Sequence, residues 1–374
     1  MIDPQEFVEQ LQLNSVEFFT GVPDSLLKDF CACLEHVPRA GQHIISANEG
    51  GAVALALGYH LATRKIPLVY LQNSGLGNII NPLLSLVDEE VYSIPMLLVI
   101  GWRGEPGVAD EPQHRKQGRV MLPMLEAMEI PYSILGPEVN HPEAHLKDAL
   151  AHARKTSSPF AFVVKKGTFK PFTVSRVQQH TFQLSREEAI QQVIDVLKDG
   201  DLVVSTTGMP SREVYEYRSR KGEGHQRDFL TVGGMGHASH IALGIALQQP
   251  ERTVYCLDGD GALLMHMGSL AINGSLKPRN LRHIILNNGA HDSVGGQPTV
   301  GMDIDVPGIA RAVGYEHACR AHTREELHSC LLGLQVSGGP SLLEVRIHCG
   351  ARKDVGRPAT TPAQNKNAFM DFIG

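Results

Sequence analysis

Three short clusters in this sequence hold side chains that could do chemistry together. The first, Leu257-Asp258-Gly259-Asp260-Gly261, closes an apolar run that begins at Thr253, and the second, Asn287-Asn288-Gly289-Ala290, closes another. An Asp in a glycine turn at one strand end and an Asn at the end of the next strand can face one crevice, the place where open α/β sheets bind ligands. Two hard oxygen ligands there suit Mg²⁺, which takes few protein oxygens and completes its octahedron with phosphate and water. The flanking Gly259 and Gly261 let backbone N–H groups approach that phosphate. The third cluster is Asn48-Glu49-Gly50-Gly51-Ala52, where Glu49 follows an apolar run and opens a segment with a small-residue face. A partly desolvated carboxyl in such a place can share a proton. Each cluster also has an ordinary reading, a tight turn for Gly-Asp-Gly and a favourable helix-end charge for Glu49.

These residues need elements to hold them. Apolar runs alternate with segments of helical period, the pattern of an α/β protein with mostly parallel sheets, and the alternation occurs twice. In the first half strands are expected at 18–20, 43–46, 68–71, 96–100 and 160–164, with helices at 25–33 and 50–62. In the second half they are expected at 201–205, 229–232, 253–257, 283–286 and 341–345, with helices at 186–197, 238–247, 262–276 and 324–334. The chain is therefore expected to form two open α/β domains, 1–172 and 185–374, joined by a linker at 173–184. Ser185 and Glu188 make a capping box for the helix that opens the second domain. Segment 101–118, rich in Gly, Pro and charge and without periodicity, is expected to be a long functional loop.

Composition narrows the partners. A net charge of −6 offers no broad basic surface, so nucleic acid is not expected, and an anionic substrate must meet local cations. No apolar run approaches the roughly 20 residues that span a bilayer, and the first residues lack a basic-then-apolar leader, so no membrane is expected and the reading is cytoplasmic. The six cysteines form no C-x-x-C pair and are expected to be reduced structural thiols.

The conjunction of Gly259-Asp260-Gly261 with Asn287-Asn288, 25 residues between them and a strand before each, resembles the cofactor motif of the thiamine diphosphate (ThDP) dependent decarboxylases. That resemblance implies a metal site of Asp260, Asn288 and the carbonyl of Ala290, with Gly259, Gly261, Ala262 and His291 near the diphosphate. Thr206-Thr207-Gly208-Met209-Pro210-Ser211 is similar to a diphosphate cradle at Gly208 and Met209. Gly233-Gly234-Met235-Gly236 is similar to the family's fulcrum turn, with Met235 as the wedge that bends the cofactor and the backbone at Gly233 facing its exocyclic amine. Glu49 matches the acid that bonds the pyrimidine ring, so the first domain is implied to bind pyrimidine and the second diphosphate.

Within the superfamily, Thr20-Gly21-Val22-Pro23-Asp24-Ser25, Gln72-Asn73-Ser74-Gly75-Leu76-Gly77-Asn78 and Asp110-Glu111-Pro112-Gln113-His114 resemble enzymes that decarboxylate phosphonopyruvate or sulfopyruvate. The implied reaction turns 3-phosphonopyruvate into phosphonoacetaldehyde and CO₂ in phosphonate biosynthesis, with sulfopyruvate as the near alternative and another 2-oxo acid decarboxylase or synthase as the far one. The resemblance places Asp24, Ser25 and His114 at the reacting atoms and Gln72, Asn73, His114 and Arg115 on the substrate. Further cations, Arg103, Lys116 and Arg119, stand in or beside the loop. Val294 stands where some relatives have a catalytic Glu, so that proton donor is not inherited. The family's site lies between two chains, which implies at least a homodimer. A nicotinamide dehydrogenase would use the turn at 233–236 and Asp258, but it leaves the Gly-Asp-Gly and Asn-Asn clusters unexplained and lacks the third glycine. A regulatory subunit would have no need of Glu49.

Overall fold

All ten expected strands form; each half adds one strand to its six-stranded sheet, and the second half also adds a two-stranded ribbon. The computed structural model describes residues 1–39, 41–174 and 181–374, and the chain divides into two units, Met1–Arg176 and Val177–Gly374. Positions 175–180 of the expected linker lie outside the described residues.

The first unit is a parallel sheet of β1 (Phe19–Gly21), β2 (His43–Ile45), β3 (Leu68–Gln72), β4 (Met96–Gly101), β5 (Tyr132–Leu135) and β6 (Pro159–Val164), in the order β2-β1-β3-β4-β6-β5. Every residue of β4 and β6 is buried, because helices cover both faces of a parallel sheet. Strand alternation divides them: Leu97, Val99 and Phe162 pack on one side, Leu98, Ile100 and Val163 on the other.

The second unit repeats this order. Its strands are β7 (Leu202–Ser205), β8 (Asp228–Leu230), β9 (Val254–Gly259), β10 (Leu281–Asn287), a short ribbon of β11 (Ala290–His291) with β12 (Gln297–Pro298), and then β13 (His317–Ala321) and β14 (Ser341–Arg346). The six-stranded sheet runs β13-β14-β10-β9-β7-β8, all parallel. In both units the chain steps from the first strand to the second on one side and returns for the third on the other. The crevices at this switch lie between the ends of β1 and β3 and of β7 and β9, where Asp24, Gln72, Gly208 and Asp260 were expected.

Four features differ from expectation. β5 and β13 are sheet-edge strands whose half-buried, partly polar residues mask the apolar signal. The loop expected at 101–118 ends early, because Pro112 starts the helix Pro112–Ala127, which buries Gly118, Met121 and Leu125 at helical spacing. The single helix expected over 262–276 is two, Asp260–Met265 and Gly268–Leu276. It breaks at His266, whose ring stacks on His237 with 4.4 Å between centroids. The β11–β12 ribbon just past the Asn pair is the fourth. No helix of the described residues is long and apolar enough to cross a membrane, and all six cysteines are unpaired.

Candidate active site

Glu49 is the first residue of the helix Glu49–Thr63, capped by Asn48, whose side chain accepts the N–H of Gly51 at 2.8 Å. Its carboxyl is buried, with Oε2 accepting from Asn78 Nδ2 at 2.7 Å. Gly75 makes that seat: a Cβ there would fall 2.3 Å from Oε1 and 2.7 Å from Cγ of Glu49. The carboxyl thus sits against bare backbone in the motif that also supplies Gln72 and Asn73.

At the switch between β1 and β3, Gln72 Nε2 donates to Oδ1 of the fully buried Asp24 at 2.5 Å, while the N–H of Leu26 donates to Oδ2 at 3.1 Å. Burial raises the Asp24 pKa, against the pull of Gln72 and the charge of Arg103. Arg103, just beyond β4, donates from Nη1 to Ser25 Oγ at 2.7 Å and grips Asp110 with Nε and Nη2 at 2.8 and 2.5 Å. Asp110 Oδ1 also lies 3.0 Å from His114 Nδ1. The structure therefore links Ser25, Arg103, Asp110 and His114 in one chain of contacts. Ser25, Arg103 and Asp110 border a cavity of about 270 Å³ that Lys166 and Trp102 also line. Asn73 is placed differently: its amide clasps the backbone of Arg103 from both sides, at 2.7 and 3.1 Å, so its side chain builds the loop's root. Arg115 lies exposed on its helix and, with Arg119, edges a second cavity beside the loop.

In the second unit Gly208 holds φ +93° as the N-cap of the helix Met209–Arg220, and a Cβ there would meet nothing within 4 Å, so the turn leaves an open cradle of backbone. Asp260 opens its own helix directly after Gly259 and is buried. Burial raises its pKa to about 6, although the Thr299 hydroxyl and the N–H groups of Asn288 and Gly261 favour the charged form. Among the described residues no side-chain cation pairs with it.

The two asparagines divide their work. Asn287 is fully buried and structural, its Nδ2 donating to Gly301 O and Glu344 Oε1, both at 2.7 Å. Asn288 stands less buried, and among the described residues its Oδ1 accepts only the N–H of Ala290, at 3.0 Å. His291 lies against Gly261, where a Cβ would fall 3.2 Å from its ring, and burial lowers its pKa to about 4, which keeps it neutral. Met235 is half-buried in a turn between two glycines of positive φ, Gly234 and Gly236.

These donors fit the groups the sequence implied. A buried carboxylate without a cation, an amide oxygen with spare capacity and a glycine cradle at a helix start match a hard divalent ion carrying phosphate. Sequence reasoning missed Asp110 as the hub of its loop. It also missed Gly75 and Asn78, which seat Glu49, and Thr299 and Gly301, which reach back to Asp260 and Asn287. Gly301 has a detectable reason, since a Cβ there would come 2.8 Å from Asp260 Cβ.

Comparison with known proteins gives a family for each half of the chain. The profile of the thiamine pyrophosphate enzyme N-terminal TPP binding domain matches residues 5–124, and that of the C-terminal TPP binding domain matches 206–345. The chain belongs to the thiamine diphosphate-dependent decarboxylase family, and its cofactor is thiamine diphosphate. It is 34% identical to phosphonopyruvate decarboxylase of Streptomyces viridochromogenes over 100% of this chain and 95% of that one. It is equally 34% identical to phosphonopyruvate decarboxylase of Streptomyces hygroscopicus over 100% and 94%. Sulfopyruvate decarboxylase of Methanosarcina acetivorans is 28% identical over 87% of this chain and 86% of its own.

Proposed function

We propose that this enzyme decarboxylates 3-phosphonopyruvate to phosphonoacetaldehyde and CO₂, with Mg²⁺ as the second cofactor, in phosphonate biosynthesis. The observation that carries the substrate is the full-length similarity, which is higher and more extensive to the phosphonopyruvate enzymes than to the sulfopyruvate enzyme. The cofactor, when bound, supplies the electron sink that a departing CO₂ needs.

The chain's own residues do the rest. Asp260, Asn288 and the carbonyl of Ala290 would hold Mg²⁺, with Gly208, Met209, Gly259, Gly261, Ala262 and His291 around the diphosphate. Met235 and the backbone at Gly233 would shape and seat the rings. Glu49, shielded from water by its burial, would share a proton with the pyrimidine. Asp24, Ser25 and His114 would handle protons at the substrate, Gln72 would contact its carboxylate, and Arg103 with Arg115 would meet the phosphonate. Arg103 is the strongest cation for that task, because Asp110 and Ser25 hold its planar fork in place. A site shared between the pyrimidine half of one chain and the diphosphate half of another makes the working unit at least a homodimer.

The test is to follow CO₂ and aldehyde release from phosphonopyruvate, sulfopyruvate and pyruvate in parallel, with EDTA controls. The reading expects phosphonopyruvate to be preferred and EDTA to abolish turnover. Faster turnover of sulfopyruvate would transfer the assignment to that acid.

A further inference from the structure

Asp110 has no part in the chemistry above, yet its carboxylate organises the segment that supplies His114. Oδ2 accepts from Arg103 Nε and from the N–H of Gly104, both at 2.8 Å, and Oδ1 accepts from Arg103 Nη2 at 2.5 Å and from the N–H of Glu111 at 2.7 Å. The fifth contact is His114 Nδ1 at 3.0 Å, with both side chains 12% exposed. The bidentate guanidinium and the other donors hold the carboxyl well below the usual carboxylate range. Asp110 is therefore an acceptor only, and an acceptor facing Nδ1 requires the proton to be on Nδ1. The loop has little room to offer His114 another seat. Gly104, at φ +71°, packs so tightly that a Cβ would fall 2.0 Å from His114 O, and one on Gly118 would fall 1.8 Å from Gly104 O.

We propose that Asp110 is a positioning residue that fixes neutral His114 as the Nδ1–H tautomer, so that His114 exchanges protons with substrate only through Nε2. The same carboxylate holds Arg103 against Ser25, which couples the proton-handling imidazole to the cation that meets the substrate's anionic group. A third group that orients a general acid–base in this way is a recurring catalytic device. The catalytic consequence rests on the proposed decarboxylation; the tautomer does not.

The experiment is a long-range ¹H–¹⁵N spectrum of ¹⁵N-histidine-labelled holoenzyme, read in the neutral imidazole form, in which one ring nitrogen carries the proton and the other does not. The His114 signal is assigned by its loss in His114→Gln. The wild type is expected to show Nδ1 protonated, and Asp110→Asn to show Nε2 protonated instead. In that variant kcat should fall by about tenfold or more while KM changes by less than about threefold, as for a general acid–base whose orientation is lost. Nε2–H in the wild type, or an unchanged tautomer in Asp110→Asn, would overturn the proposal. A changed tautomer that leaves kcat within about twofold would overturn its catalytic part. If Asp110→Asn fails to fold, the wild-type spectrum still decides. An Nδ1–H imidazole in a protein that turns over no 2-oxo acid would refute the proposed function and leave the positioning role standing.

Discussion

Replacing Gly75 by alanine should disable Glu49 while leaving its carboxyl chemically unchanged. The backbone at Gly75 is not in the left-handed region, so alanine meets no backbone strain, and the whole effect falls on its neighbour. The added Cβ would lie 2.3 Å from Oε1, 2.5 Å from Cδ and 2.7 Å from Cγ of Glu49. Because the overlap reaches down the side chain, the carboxyl arm must move by about 1 Å to restore ordinary carbon–oxygen contact. That move also strains the 2.7 Å hydrogen bond from Asn78. A misplacement of about 1 Å in a catalytic group costs about 100-fold, or about 2.7 kcal/mol of barrier. Steady-state decarboxylation with saturating ThDP and Mg²⁺ should therefore show kcat down by about two orders of magnitude, with cofactor affinity from calorimetry little changed. Turnover within about threefold of wild type would refute the claim that the carboxyl must sit where the structure holds it.

Glu49→Gln should keep cofactor binding and lose most turnover, whereas Asp260→Ala should lose Mg²⁺ and ThDP together; equal cofactor loss in calorimetry of both variants would contradict this division of roles. Thr299→Val removes the hydroxyl that donates to Asp260 Oδ2 and should weaken Mg²⁺ binding by about tenfold, as measured by titration of apoprotein, the usual cost of losing support behind a metal ligand. An unchanged Kd would dismiss that role. His43 bonds Tyr70 Oη at 2.9 Å, and burial lowers its pKa from 6.5 to about 4. The unfolded chain then binds more protons between those values, so this group's stabilising contribution is complete above about pH 6.5 and declines as pH falls towards 4. Its partial exposure reduces the effect to about 1–2 kcal/mol. Urea unfolding of wild type and His43→Gln across that range should show the wild type losing more stability on acidification, and parallel curves would exclude the effect.

The strands that a buried parallel sheet makes nearly continuous in apolar residues, such as β4 and β6, were legible because both of their faces are covered. Strands β5 and β13 were not, since their half-buried, partly polar residues break the apolar run. Asp260, Asn288 and Glu49 could be found because oxygen ligands and carboxyls in glycine turns leave a local signature. Asp110 and Thr299 had none. Thr299 lies 39 residues from Asp260, and their contact depends on the β11–β12 ribbon folding back, which no local periodicity announces. Asn73 shows the converse: its place after β3 suggested a ligand-binding amide, but the fold uses both of its polar atoms on the Arg103 backbone. The break at His266 was hidden because 262–276 is good helical sequence on either side of it.

The most direct test of the central claim is a ³¹P NMR time course of phosphonopyruvate with the purified chain, in which ThDP and Mg²⁺ are omitted in turn. The assignment predicts one new phosphonate signal growing with CO₂ release, the carbon–phosphorus bond intact, and no conversion when either cofactor is missing. Appearance of inorganic phosphate, conversion without ThDP, or no conversion by the complete holoenzyme would contradict it.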